Sequence, residues 1–508
     1  MSAAGSTVPP LKGGVLILVT IALSLATFMQ MLDSTISNVA IPSISGDLGA
    51  STDEGTWVIT AFSMANAISI PLTGRLALRI GELRLFLLSV MLFFVFSFCC
   101  GLSSDLGMLI TFRVMQGLVA GPLIPLSQSL LLRNYPPEKR TFALAIWSMT
   151  VIVAPIFGPI LGGYICDNYH WGWIFFINVP MGIVVTLLCA TVLKGRETQT
   201  QPVKINLLAV TLLVVGVGAL QIMLDKGKNL GWFDSSFIVL MACLSALGCI
   251  GLIIHEIYSS NRIIDLSLFR LRNFTIGSLC IVTAYMVYSG SIVLLPQLLQ
   301  EVYRYDAIQS GLAYSPVGLL PLIFAPLIGR YGSRVDMRIL VTFSFMVYGV
   351  CYYWRAMTFT LDIEFVQIIL PQFIQGFAVA CFFLPLTAIS LSGLKSERFA
   401  SATSLSNFLR TLSGSIGTAL TMTLWSNREI YHHSQLVQHV SDNNPVYDQY
   451  LGLAREAGLT NTQTLGYINQ LITQQSLLIS ANEIFYLSSF IFLSLTLLVW
   501  MAKPPFNT

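Results

Sequence analysis

The sequence predicts an all-α membrane protein of fourteen spanning helices, built as two pseudo-symmetric six-helix halves with two helices inserted between them (6 + 2 + 6). Three observations carry that expectation: an apolar composition, a one-sided distribution of Lys and Arg, and two short motifs that recur in the second half.

Of the 508 residues, 55% are hydrophobic and 10% charged, whereas a soluble domain is about 25% charged. So few polar groups cannot cover a water-facing surface, and the chain belongs in a bilayer. The 27 basic and 24 acidic residues leave a formal charge of +3. That excess is too small to suggest a nucleic-acid partner. The nine cysteines lie almost entirely in apolar segments and lack C-x-x-C spacing, which reads as packing rather than disulfides or zinc. The first apolar segment has no A-x-A cleavage site and carries an acid, so it is expected to be a retained helix.

A spanning helix needs about 20 apolar residues. By that length the candidates run over 14–42, 56–74, 83–103, 106–130, 142–165, 173–193, 205–224, 236–257, 275–300, 310–329, 339–360, 365–392, 400–425 and 482–501. With the N-terminus inside, most Lys and Arg fall on the inner side, in groups such as Arg75, Arg79 and Arg84, or Arg133, Lys139 and Arg140, or Arg330, Arg334 and Arg338. The outer side receives Lys226, Lys228, Arg304, Arg355, Arg428 and Arg455. This bias places both termini in the cytoplasm. One helix more or fewer would scramble the alternation, so the count should be even.

The repeat defines the halves. Gly74 to Arg79 reads G-R-L-A-L-R and Gly329 to Arg334 reads G-R-Y-G-S-R; Gln116-Gly117 in the fourth segment matches Gln375-Gly376 in the twelfth, at a nearly equal offset. Six segments therefore repeat. The expected division is a cytoplasmic tail at 1–13, a six-helix bundle at 14–195, two inserted helices at 196–258, a second bundle at 259–502 and a tail at 503–508. The second bundle includes a long outer loop, 427–481, expected to hold a small helical element because Leu, Ile and Tyr recur through it, with Tyr447–Ala457 and Thr464–Ser476 compatible with helix.

Within the first segment, Asp33 is an acid in hydrocarbon, which costs at least about 2.5 to 3.5 kcal/mol on insertion scales. Arg113 in the fourth segment lies at comparable depth. The two are expected to pair, either as a proton-coupling site that loosens when the acid is protonated or as a permanent structural ion pair. Gly74, Arg79 and Gly81 fall in a basic inner loop whose echo suggests a gate on each half; a positive-inside anchor explains the same residues. The fifth segment carries Pro155, Gly158, Pro159, Gly162 and Gly163, a pattern for a bent, closely packed membrane helix. Trp171 to Pro180 opens the sixth segment and reads as an interfacial anchor, and Asp225 and Glu256 read as interfacial charges.

Candidate cavity residues are Gln30, Asn38, Gln116, Gln297, Glu301, Gln372 and Arg410, the last an arginine in mid-segment with no acid at its depth in the C-terminal half. Phe382, Phe383, Tyr285 and Tyr288 suit a cavity for apolar cations or neutral amphiphiles, and equally suit lipid-facing packing. His432, His433 and His439 lack a clustered carboxylate or cysteine and do not suggest a metal site. No G-x-x-x-x-G-K-[ST] or G-x-S-x-G segment is present, which argues against ATP drive and against an enzyme.

Together the motifs carry a resemblance. Leu32 to Pro42 (L-D-S-T-I-S-N-V-A-I-P), Arg113 with Gln116-Gly117, and Gly158-Pro159 with Gly162-Gly163 resemble those of the fourteen-helix drug:proton antiporters of the major facilitator superfamily, of the EmrB and EmrY inner-membrane type. The resemblance implies a major facilitator fold and secondary active transport without a cofactor. Protons would be the coupling ion through Asp33 and Arg113, and hydrophobic or amphiphilic compounds the exported cargo. It also implies a periplasmic adaptor and a TolC-type outer-membrane channel as partners, in the bacterial inner membrane. A proton-coupled importer or uniporter of a small metabolite, and a non-transporting scaffold, are the other readings. One departure is that Leu78 and Glu82 stand where the superfamily's loop usually has an acid and a base.

Overall fold

The computed structural model describes residues 11, 13–136, 139–203, 206–259, 262–331, 335–394, 398–438, 440, 460–504 and 506, less a few side chains within them. Among these residues all regular structure is helical. We number the long helices α1 (Gly14–Asp47), α2 (Trp57–Ile80), α3 (Glu82–Gly101), α4 (Leu106–Asn134), α5 (Arg140–Asn168), α6 (Trp173–Val192) and α7 (Leu207–Lys226). There follow α8 (Ser236–Tyr258), α9 (Arg272–Glu301), α10 (Gln309–Gly329), α11 (Met337–Thr358), α12 (Phe365–Leu391), α13 (Phe399–Val437) and α14 (Asn461–Val499). The tail expected at 1–13 falls mostly, half of that at 503–508, and Tyr447–Ala457 wholly, outside the described residues.

Local chemistry sets many of the ends. Asp105 accepts a hydrogen bond from the Met108 amide at 2.8 Å and caps α4, and Asn206 and Asp336 cap α7 and α11 in the same way. Thr460 and Gln463 form a reciprocal capping box at the start of α14. These side chains occupy amide donors that the first helical turn leaves without partners. In α5 the proline and glycine pattern has its expected effect: Phe142–Pro155 and Ile160–Asn168 meet at a 42° bend.

Apolarity alone does not carry the count to the expected fourteen. Twelve described helices are long and apolar enough to cross a membrane, thirteen if the bent α5 is one span. The exception is α13, whose register of Ser, Thr, Asn and Arg makes it the most polar of the long helices. It nonetheless packs among the others: Gly414 and Gly417 lie so close to α9 that a Cβ at Gly417 would stand 1.9 Å from the Met286 carbonyl oxygen.

The outer loop expected at 427–481 is also corrected. Its described ends continue α13 and α14, each 39 residues long, about 58 Å at 1.5 Å per residue against a hydrocarbon core of about 30 Å. The two run together as a hairpin. Trp425 Nε1 donates to the Leu477 carbonyl at 2.9 Å, and Arg428 and His432 both meet Glu483, at 2.6 and 3.0 Å.

Each half has its own apolar core, one built around Phe86, Phe93 and Val185 and the other around Phe345, Phe382 and Phe492. A third cluster joins Ile68, Leu213, Phe274 and Phe408, and so ties α7 to both halves. Helix α8 is held mainly by α7, through a close approach of Gly216 and Gly248; Leu247, Ile250 and Ile254 on it are exposed, as a lipid-facing helix requires.

Candidate functional site

Asp33, on α1, is the centre of a polar network inside the N-terminal half. Arg113 Nη1 on α4 donates to Asp33 Oδ2 at 2.6 Å, and both side chains are wholly buried. Gln116 Nε2 and Asn178 Nδ2, from α4 and α6, donate to Asp33 Oδ1 at 3.1 and 2.7 Å. A second layer fixes these donors. Arg113 also donates to Gln116 Oε1 at 2.8 Å and to the Val58 carbonyl at 3.2 Å, and its guanidinium lies 4.1 Å from the centre of the Phe62 ring. Asn178 reaches Ser97 Oγ at 2.9 Å, and Ser97 in turn donates to the Phe175 carbonyl. Five helices converge on one carboxylate. An ionised acid without these partners would be untenable at such depth.

The bent α5 packs directly beside this site. A Cβ at Gly158 would lie 2.1 Å from Thr35 Oγ1 and 3.1 Å from the Ile36 amide, and one at Gly162 would lie 3.0 Å from the Ile36 carbonyl. The absence of side chains there lets α5 touch α1 within three residues of Asp33. Gly163 faces open space, and the Pro159 side chain lies outside the described set.

The two halves meet near the basic ends of their helices. Ser404 Oγ donates to the Ile70 carbonyl at 2.5 Å, Thr403 Oγ1 to the Pro125 carbonyl at 3.2 Å and Asn407 Nδ2 to Gln128 Oε1 at 2.7 Å. Gly74 admits Ser401 so closely that a Cβ would stand 3.1 Å from its Cα, and Arg75 donates to the Arg262 carbonyl. Beside this seam lie two adjoining cavities, both lined by Gln128, Phe383, Thr387 and Arg410.

The Major Facilitator Superfamily model matches residues 23–418. The chain belongs to the major facilitator superfamily. It is thus a multi-pass secondary transporter and not an enzyme. It is 66% identical over 507 residues to the "Probable multidrug resistance protein EmrY" of Escherichia coli strain K12, covering 100% of this chain and 99% of that one. It is 62% identical to the "Multidrug export protein EmrB" of the same strain (98% and 97% covered) and 50% identical to the "Fatty acid resistance protein FarB" of Neisseria gonorrhoeae (98% and 98%). Among solved structures, the proton:xylose symporter XylE superposes with a TM-score of 0.59 at 12% identity, covering 96% of this chain and 95% of that one. The human organic anion transporter MFSD10 superposes at 0.58 and 13%, covering 96% and 100%. At such identities these two speak for the fold alone.

Within this major facilitator frame the predicted site residues separate. Gln116 belongs to the Asp33 network. Gln30 is buried, 3.3 Å from Asn66 on α2. Asn38 and Glu301 are exposed and Gln297 is half-buried; none of the three lines the two cavities. Arg410 lines both. Phe383 is at the cavity wall and the Tyr285 ring lies 5.6 Å from the Arg410 guanidinium, whereas Phe382 and Tyr288 are packed into the C-terminal core. Gln372 lies elsewhere: with Gln375 it holds Arg355, which is buried and not on the outer loop where the basic-residue count put it. The reason is that α11 places Arg355 one turn inside its end, against Tyr352.

Where α2 passes into α3, Gly81 has φ 102°, a conformation open to glycine, and Arg79 is exposed. The loop's missing acid is replaced from elsewhere. Glu197, after α6, accepts from the Leu83 and Arg84 amides at 3.0 and 2.8 Å, while Glu82 pairs with Arg133 at 2.9 Å and accepts from Ser129.

Asn178 and Ser97 were not foreseen. Asn178 lies within the aromatic run read as an anchor, and only Trp173 fits that role, at 55% exposed; Trp171 is buried. An asparagine inside a spanning segment, at the sixth residue of α6, is the available signal. One of the two charges read as interfacial is internal: Glu256 is buried and caps the Ile263 and Ile264 amides, whereas Asp225 is exposed at the end of α7, where it accepts from Gln221 at 3.0 Å. Among the described residues no cluster could hold a metal; His433 bonds Asn469, and His439 lies outside them.

Proposed function

We propose that this protein is a proton-driven exporter of hydrophobic and amphiphilic compounds in a bacterial inner membrane, with both termini in the cytoplasm. The carrying observation is the buried Asp33 held by Arg113, Gln116 and Asn178. Protonation of Asp33 removes the charge that these donors hold, which frees Arg113 and lets α1, α4 and α6 shift against α5 at Gly158 and Gly162. Export by relatives named for multidrug resistance and export supports the direction. The positive-inside bias supports the orientation, so the seam at Gly74, Ser401 and Ser404 closes the cytoplasmic side in this conformation.

The α13–α14 hairpin then projects into the periplasm and is the surface for an adaptor leading to a TolC-type channel. Deleting the segment between Val437 and Asn461 is expected to abolish resistance in cells while leaving transport in vesicles nearly intact. Equal loss in both would assign the hairpin to folding or to the cavity.

The test of export uses everted membrane vesicles and a fluorescent amphiphile. An inside-acid gradient is expected to drive accumulation that a protonophore collapses. Accumulation that survives the protonophore would contradict proton drive, and movement in the opposite direction would favour import.

A further inference from the structure

We propose that the central cavity selects amphiphiles with an anionic head, and that Arg410 is the residue that recognises it. This rests on the export reading and names its substrate class. Arg410 is only 8% exposed, and its guanidinium has no hydrogen bond or ion pair among the described residues. Its nearest ring is Tyr285, at 5.6 Å. No acidic side chain lines either cavity that Arg410 faces, among the described residues.

Trp147 and Asn407 at that wall are already engaged. Trp147 Nε1 donates to Thr27 and Ser127 at 2.9 and 3.0 Å, and Asn407 Nδ2 donates to Gln128 Oε1 and to the Thr403 carbonyl. Arg410 is the charged group among the described residues that line the two cavities, and a guanidinium presents a planar fork that fits the paired oxygens of a carboxylate or sulfonate. The contrast with Arg113 is chemical: that buried arginine has its carboxylate in the chain, and Arg410 has none. Phe383, Leu144, Val151 and Leu384 supply an apolar wall for the tail. A quaternary ammonium in the same place would face a like charge in a medium of low dielectric. Moving an anion out as a proton moves in also carries both charges in the direction favoured by an inside-negative potential.

Two matched probes test this, with the same dansyl fluorophore and undecyl chain, one ending in sulfonate and the other in trimethylammonium. Binding to the purified full-length protein is read by fluorescence, and export by the vesicle assay. The wild type is expected to bind the sulfonate at least tenfold more tightly than the ammonium. Arg410→Gln should bring that ratio close to one by weakening the sulfonate alone, and Arg410→Lys should keep part of it. A wild-type ratio at or below one overturns the proposal whatever the variants do, as does an Arg410→Gln ratio equal to wild type. Failure to export either probe would count against the export reading, because the binding ratio is measured independently of transport.

Discussion

Arg113 Nη1 lies 2.6 Å from Asp33 Oδ2, and neither side chain has any contact with solvent. Each therefore depends on the other, and on neutral donors that complete the coordination of the carboxylate. Among these Asn178 is the one that links α6 to α1, through a bond of 2.7 Å to Asp33, and to α3, through one of 2.9 Å to Ser97. Asn178→Ala leaves one carboxylate oxygen short of a donor and is expected to destabilise the protein by about 1–3 kcal/mol. It should also reduce proton-driven transport more than Ser97→Ala does. Thermal unfolding in detergent and vesicle transport check the two parts.

The glycines on α5 make a sharper contrast. Gly158→Ala places a methyl within 2.1 Å of Thr35 Oγ1 and against the α1 backbone, so a loss of about 1–3 kcal/mol is expected from overpacking, with transport impaired because the displaced helix carries Asp33. Gly163→Ala, which meets nothing within 4 Å, should stay within about 0.5 kcal/mol of wild type. Melting of the two variants side by side decides it.

At the basic end of the N-terminal half, Arg133→Ala leaves the buried Glu82 without its cation and is expected to cost about 3–5 kcal/mol. Glu197→Gln keeps an acceptor oxygen near the Leu83 and Arg84 amides and should cost no more than about 1 kcal/mol. Chemical denaturation of both variants ranks them.

Asp265, in the connection before α9, meets Arg398 at 2.6 Å. Burial pushes its carboxyl up, but hydrogen bonds from Ser267 and Arg398, with the Arg398 charge, outweigh that and hold it below the usual carboxylate range. The folded value being the lower one, the contribution is fully present above the unfolded value and is lost as pH falls through the folded one. Acid unfolding should therefore show a loss of about 1 kcal/mol or less at this half-exposed pair, below about pH 4, that Asp265→Asn removes.

How far the sequence reveals this molecule depends on the kind of signal. Asp33 and Arg113 stand out because two charges in apolar segments at one depth have few alternatives to pairing. The packing of α5 on α1 follows from Gly158 and Gly162 at helical spacing. Asn178 is hidden because it lies in the aromatic run that opens α6, where a polar residue passes for an interfacial one, and Ser97 because a single hydroxyl can bond within its own helix and barely lowers the hydropathy of an apolar segment. Arg355 was misplaced because hydropathy cannot tell an arginine just inside a helix end from one just beyond it; only the opposing Gln372 and Gln375 draw it inward. The hairpin was read as a loop because α13 and α14 become polar where they leave the apolar layer, although their helical hydrogen bonding continues. The same polarity in α13 lowers the number of spans that apolarity alone supports.

The most direct test of the central claim is proton-gradient-driven transport by purified Asp33→Asn protein in proteoliposomes, beside wild type. The amide keeps the size and the hydrogen-bonding capacity of the carboxyl but cannot ionise, so the variant should still bind amphiphile while losing accumulation driven by the gradient, by at least tenfold. An Asp33→Asn protein that accumulates substrate against its gradient at the wild-type rate would contradict the claim that Asp33 couples transport to protons.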